Sequence, residues 1–137
     1  MSLSLWMLLA FACWTLLVLL VGVGMRRWLL IFQGRAALTS FPGDTPHGSA
    51  AYRRAMRAHA NCVENLPVFG AIVLVGAFSQ RITPMMDMLA VAFMAARIIQ
   101  TSIHMALPES NTTIAVRFSF FLIQIVAMIA MAVQIAI

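Results

Sequence analysis

Residues 1–25 read MSLSLWMLLAFACWTLLVLLVGVGM and carry no charged side chain. A bilayer core about 30 Å thick needs about 20 predominantly apolar residues per helix. This run is therefore long enough to cross a membrane. Arg26 and Arg27 follow it rather than precede it. A cleaved leader has the opposite order, so the run reads as a retained first span over residues 4–25.

The same reading extends outward along the chain. Residues 26–52 are polar and hold Gly34, Pro42, Gly43, Asp44, Pro46 and Gly48, which predicts a loop. Further spans are expected over residues 53–79, 85–106 and 114–137. Gln80 to Pro84 and Leu107 to Thr113 are the short connections between them. The expectation is one four-span membrane domain over residues 1–137, an all-α four-transmembrane-helix bundle.

Composition agrees. Of the 137 residues, 63% are hydrophobic and 9% charged, where a soluble domain carries about 25% charged residues. A soluble fold and disorder are both excluded. The net charge is +5, and all nine basic residues are Arg. They are widely spaced in an apolar chain, so nucleic-acid binding is not expected. Cys13 and Cys62 read as packed thiols with no metal-ligand spacing. The eleven methionines read as packing and lipid-facing residues, and no metal site is expected.

Arg26, Arg27, Arg35, Arg53, Arg54 and Arg57 flank the first loop, whereas the 80–84 connection has only Arg81. By the positive-inside bias, the 26–52 loop faces the cytoplasm and both termini face the far side. The use of Arg without Lys fits a GC-rich bacterial source, and so a multi-pass protein of the bacterial inner membrane.

Ionisable and amide side chains inside spans are functional candidates. At about 100° per residue, Arg54, Arg57, Asn61, Glu64 and Asn65 share an arc of about 100° on the second helix, and His59 points away. Arg97, Gln100 and His104 form an i, i+3, i+7 stripe on the third helix. Arg117 and Gln124 share a face of the fourth. Glu64 and Arg97 lie at similar depths, each roughly 12 Å from the loop end, so they are expected to pair. Arg54, Arg57 and Arg117 then remain as forked donors for carboxylates. A purely structural reading makes Arg53 and Arg54 headgroup anchors, Glu64 with Arg97 a register-fixing ion pair, and Arg117 the mark of a span start.

The second-helix run reads Arg54-Ala-Met-Arg57-Ala-His59-Ala-Asn61-Cys-Val-Glu64-Asn-Leu-Pro67-Val-Phe69. Its Arg-Ala-His-x-Asn-x-x-Glu spacing with a following Pro resembles the signature of the MAPEG family, the membrane-associated proteins in eicosanoid and glutathione metabolism. It is most similar to the prostaglandin E synthase and microsomal glutathione transferase branches. The Pro42, Gly43, Asp44 stretch resembles the family's first loop.

The resemblance implies a homotrimer of four-helix protomers with glutathione held between neighbours at the cytoplasmic side. It implies that Arg57, Asn61, Glu64 and Arg97 contact glutathione or its supporting network. Arg54, Gln100 and His104 complete the expected binding set, and Arg117 is the expected thiol-activating residue. Gln100 and His104 depart from the His or Tyr and the Tyr of well-known members, and Asn65 stands where a leukotriene synthase-like member has Tyr. A fixed guanidinium beside the glutathione sulfur would favour the thiolate.

The function so implied is a glutathione-dependent transferase or peroxidase acting on hydrophobic electrophiles or lipid peroxides. The alternative is a non-catalytic lipid- or ligand-binding scaffold of the same family. A small transporter is the weakest reading, because broken helices and inverted repeats are absent from the sequence pattern.

Overall fold

A computed structural model describes residues 1–137. Four long helices make up the protein: α1 (Leu3–Phe32), α2 (Ala50–Phe78), α3 (Pro84–Ala106) and α4 (Asn111–Ala136). Each is long and apolar enough to cross a membrane. Each also begins the same way. Ser2, Ser49, Thr83 and Ser110 stand at the N-caps and accept from the backbone N–H of Leu5, Tyr52, Met86 and Thr113. A hydroxyl at this position satisfies one of the donors that a helix start leaves unpaired. Pro84 follows Thr83 at the first helical position of α3, where its missing N–H costs nothing.

The first helix does not stop at Met25, where its charge-free run ends. It continues through Arg26 and Arg27 to Phe32. Arg is a good helix former, and charge alone does not end a helix. The stop comes at Gly34, whose φ is 66°. Gly34 N–H reaches Ile31 O at 3.0 Å and Arg35 N–H reaches Leu30 O at 2.9 Å, a Schellman closure. The loop is correspondingly shorter than 26–52, since α2 already starts at Ala50. Val18–Gly24, within α1, is wound as a π-helix.

The helix order places α3 centrally, packed on α1, α2 and α4, while α4 rests chiefly on α3. The core of the bundle is aromatic. Phe69 and Phe93 stack at 4.0 Å between centroids, and Phe11 meets Phe93 edge-on at 5.4 Å. Cys62, Val73, Met86, Ala90, Met94, Ala127, Met128 and Met131 complete it. Only 27 of 137 residues are buried, and large apolar side chains cover the outside of all four helices, as lipid or neighbouring subunits require.

The end away from the first loop is pinned by polar contacts. Ser4 donates from Oγ and from its backbone N–H to Asp87 Oδ1 at 2.6 and 2.7 Å. Arg81 donates to the Ile135 carbonyl at 2.7 Å. These bonds hold the starts of α1 and α3 together and cap the end of α4, and they leave the opposite end to hold a site.

Candidate functional site

The Ser49 cap fixes where α2 starts, and so sets Arg53, Arg54 and Arg57 on its first two turns. All three line a cleft of about 750 Å³, closed by loop residues Gly43 to Pro46 and by Pro108 and Glu109 of the α3–α4 connection. Arg57 Nη1 donates to Glu109 Oε1 at 2.7 Å, the only ion pair in the protein. Arg54 Nε reaches toward the Met105 carbonyl at 3.5 Å and ties α2 to the end of α3.

His104, half-buried near the end of α3, adjoins this cluster. It stands one helical turn before Pro108 and Glu109 of the cleft, and Arg117 stands on the second turn of α4, which starts two residues after Glu109. His104 Nε2 and Arg117 Nη1 are shielded from solvent and have no hydrogen-bond partner. An unpaired buried donor is costly, so Arg117 holds a guanidinium nitrogen with unused capacity.

Deeper in the bundle, Arg97 is fully buried. Its Nη1 donates to Asn61 Oδ1. Its guanidinium carbon lies 5.3 Å from the Phe11 ring centroid and 5.8 Å from that of Phe93, within cation–π reach of both. Nε and Nη2 have no partner. Asn65, also buried, donates to the Asn61 carbonyl at 2.7 Å.

The expected pairing of Glu64 with Arg97 does not form within the chain. The buried face of α2 carries Ala58, Cys62, Asn65, Phe69 and Val73. Glu64 lies about 200° around the helix from Cys62 and is exposed. Asn61 takes its place as the partner of Arg97. The five second-helix residues expected on one arc are thus divided. Asn61 and Asn65 turn inward, Arg54 is half-buried, and Arg57 and Glu64 turn outward.

The third-helix stripe is one face, but its members serve different neighbours. Gln100 accepts from Gln124 Nε2 at 2.9 Å, both side chains being buried. Gln124 also donates to the Phe120 carbonyl at 3.0 Å. Gln100 therefore joins α3 to α4 and does not reach the cleft. Of the eight expected site residues, Arg54 and Arg57 line the cleft, His104 and Arg117 stand on the neighbouring ends of α3 and α4 without lining it, half-buried Asn61 pairs with buried Arg97, Gln100 is spent on Gln124, and Glu64 stands alone.

Sequence reasoning missed Glu109 and gave Asp44 no role. Only four acidic residues occur in the chain, and these two lie in polar connections beside arginine-rich helix ends. That scarcity was the available signal. Arg53 lines the cleft as well, beyond the anchoring part expected of it. No group of three or more His, Cys, Asp or Glu side chains is arranged to hold a metal ion.

The model of the MAPEG family matches residues 4–137. No curated protein and no solved structure matches the chain.

Proposed function

Because this chain belongs to the MAPEG family, we propose that it is a membrane-embedded glutathione-dependent transferase or peroxidase acting on hydrophobic electrophiles or lipid peroxides. The observation that carries this reading is the arginine cleft. Arg53, Arg54 and Arg57 meet Asp44 and Glu109 around about 750 Å³, within the size range of small-molecule sites. Three guanidinium groups against two carboxylates leave one net positive charge. Glutathione at neutral pH has two carboxylates and one ammonium, so its net charge is the complement.

Glutathione supplies a thiol whose ionised form attacks an electrophilic carbon, displacing its leaving group or adding across an activated double bond. With a peroxide it attacks an oxygen instead, breaking the O–O bond to release the alcohol and form a glutathione sulfenic acid, which a second glutathione converts to the disulfide and water. The protein's part is to hold the tripeptide and to favour ionisation. Arg54 and Arg57 grip carboxylates through bidentate donors. Arg117 stabilises the sulfur anion, since its Nη1 is dehydrated and unpartnered and a nearby cation favours a thiolate. Asn61 and Arg97 support the site from behind by fixing α2 against α3.

The reading includes a homotrimer, with the loop end cytoplasmic and glutathione between neighbouring subunits. Glu64 supports this assembly. It is an ionisable side chain well inside a span, facing outward with no partner in its own chain, and a second copy would shield it from lipid.

A non-catalytic scaffold is the second reading, favoured by the engagement of Gln100 with Gln124. Turnover of a hydrophobic electrophile and of a lipid hydroperoxide by the purified full chain, with and without glutathione, separates the two. The enzyme shows glutathione-dependent turnover with at least one of them. The scaffold binds fatty acid and shows none.

A further inference from the structure

A second cleft, of about 310 Å³, shares no lining residue with the arginine cleft. Leu29, Leu30 and Phe41 form its apolar wall, and Arg26, His47 and Tyr52 its polar one. No acidic residue lines it. Arg26 Nη1 donates to Ser49 Oγ at 2.5 Å, which leaves the guanidinium most of its donors. Arg27 reinforces the positive charge beside the cleft. Its Nε donates to Tyr52 Oη at 2.6 Å, and its guanidinium lies 5.4 Å from the Phe41 ring centroid.

His47 adds a second feature. Its Nδ1 lies 3.2 Å from the Thr45 carbonyl. A carbonyl only accepts, so Nδ1 holds the proton. Nε2 is shielded from solvent without a partner, and in the neutral ring it is an acceptor that lacks a donor.

The position of the cleft relative to the bilayer follows from helix length. Arg26 lies roughly 35 Å along α1 from Leu3 at 1.5 Å per residue, and a hydrocarbon core is about 30 Å thick. Arg26 thus emerges at headgroup level. On the same stretch Met25, Leu29 and Phe32 are 64%, 57% and 81% exposed, and Trp28 stacks on Phe32 at 5.7 Å. This apolar face continues the outer surface of the first span directly into the cleft wall.

We propose that this cleft holds the headgroup of an anionic, hydroxyl-bearing phospholipid from the surrounding leaflet. The phosphate sits on Arg26, a headgroup hydroxyl donates to His47 Nε2, and the acyl chains leave along Leu29 into the bilayer. An interfacial basic site facing anionic lipid is electrostatically favourable. The apolar wall selects a lipid over a free phosphate.

Quenching of Trp28 by brominated lipid tests this in the full chain carrying Trp6→Phe and Trp14→Phe. Bilayers contain phosphatidylglycerol and phosphatidylcholine in equal amounts, with one or the other brominated. Brominated phosphatidylglycerol is expected to quench preferentially, with an apparent preference of about fivefold. Arg26→Gln removes the preference and His47→Phe reduces it, while Arg35→Gln, outside the cleft, preserves it. Equal quenching by the two lipids overturns the proposal. So does a preference that survives both Arg26→Gln and His47→Phe, or one abolished by soluble glycerol phosphate. If Arg26→Gln fails to fold by circular dichroism, His47→Phe alone decides.

Discussion

Arg57 and Glu109 are joined at 2.7 Å across the α2 and α3–α4 segments, and both line the larger cleft. Their side chains are 63% and 43% exposed, so the pair adds little to stability, typically about 0–1 kcal/mol. Its significance lies in competition: a ligand carboxylate and Glu109 seek the same guanidinium.

Arg57→Ala is therefore expected to weaken glutathione binding about tenfold, the usual worth of a charge-assisted contact, with unfolding stability changed by less than about 1 kcal/mol. Glu109→Gln acts in the opposite sense and tightens binding by up to about fivefold. Calorimetric titration of glutathione into the two variants reads both effects.

Arg117 is expected to act on the sulfur more than on the tripeptide backbone. Arg117→Ala should lower the thiolate fraction of bound glutathione about tenfold or more, and turnover with it, while the dissociation constant changes much less. Parallel binding and turnover measurements check the split. Equal, small effects on both would argue against this role.

Within the bundle, removing one member of the Arg97–Asn61 pair is not equivalent to removing the other. Asn61→Leu strips a fully buried guanidinium of its one hydrogen-bond partner and should cost about 1.5–3 kcal/mol, the worth of a hydrogen bond to a charged group. Arg97→Met removes the charge and fills similar space beside Phe11 and Phe93, so it should cost less. Thermal unfolding in detergent orders the two variants.

Gly22 allows α1 to approach the loop end of α2 and α3. A Cβ there would lie 3.2 Å from Ala55 Cβ and 2.9 Å from Met105 Cε. Gly22→Val is expected to destabilise by about 1–3 kcal/mol through overpacking, and Met105→Ala in the same chain should recover part of the loss. The melting temperatures of the single and double variants measure the coupling.

The four spans were legible because apolar runs of bilayer length are read directly from residues such as those before Arg26. The end of α1 was not, because the charge boundary at Arg26 and the helix stop at Gly34 obey different physics. The i, i+3, i+7 spacing of Arg97, Gln100 and His104 correctly gave one helix face. It could not say which neighbour each would meet. That depends on how α2 is rotated against α3, which the packing of Phe11, Phe69 and Phe93 decides; this rotation presents Asn61 to Arg97 and turns Glu64 away. Glu109 escaped notice because it stands in a four-residue connection where no periodicity applies.

A spectroscopic titration of glutathione into the detergent-solubilised full chain bears most directly on whether this protein activates the thiol. Thiolate absorbance that saturates with added glutathione, and disappears in Arg117→Ala while binding persists, is the predicted result. Saturated binding with no thiolate absorbance, and no turnover of either electrophile or peroxide, would contradict it.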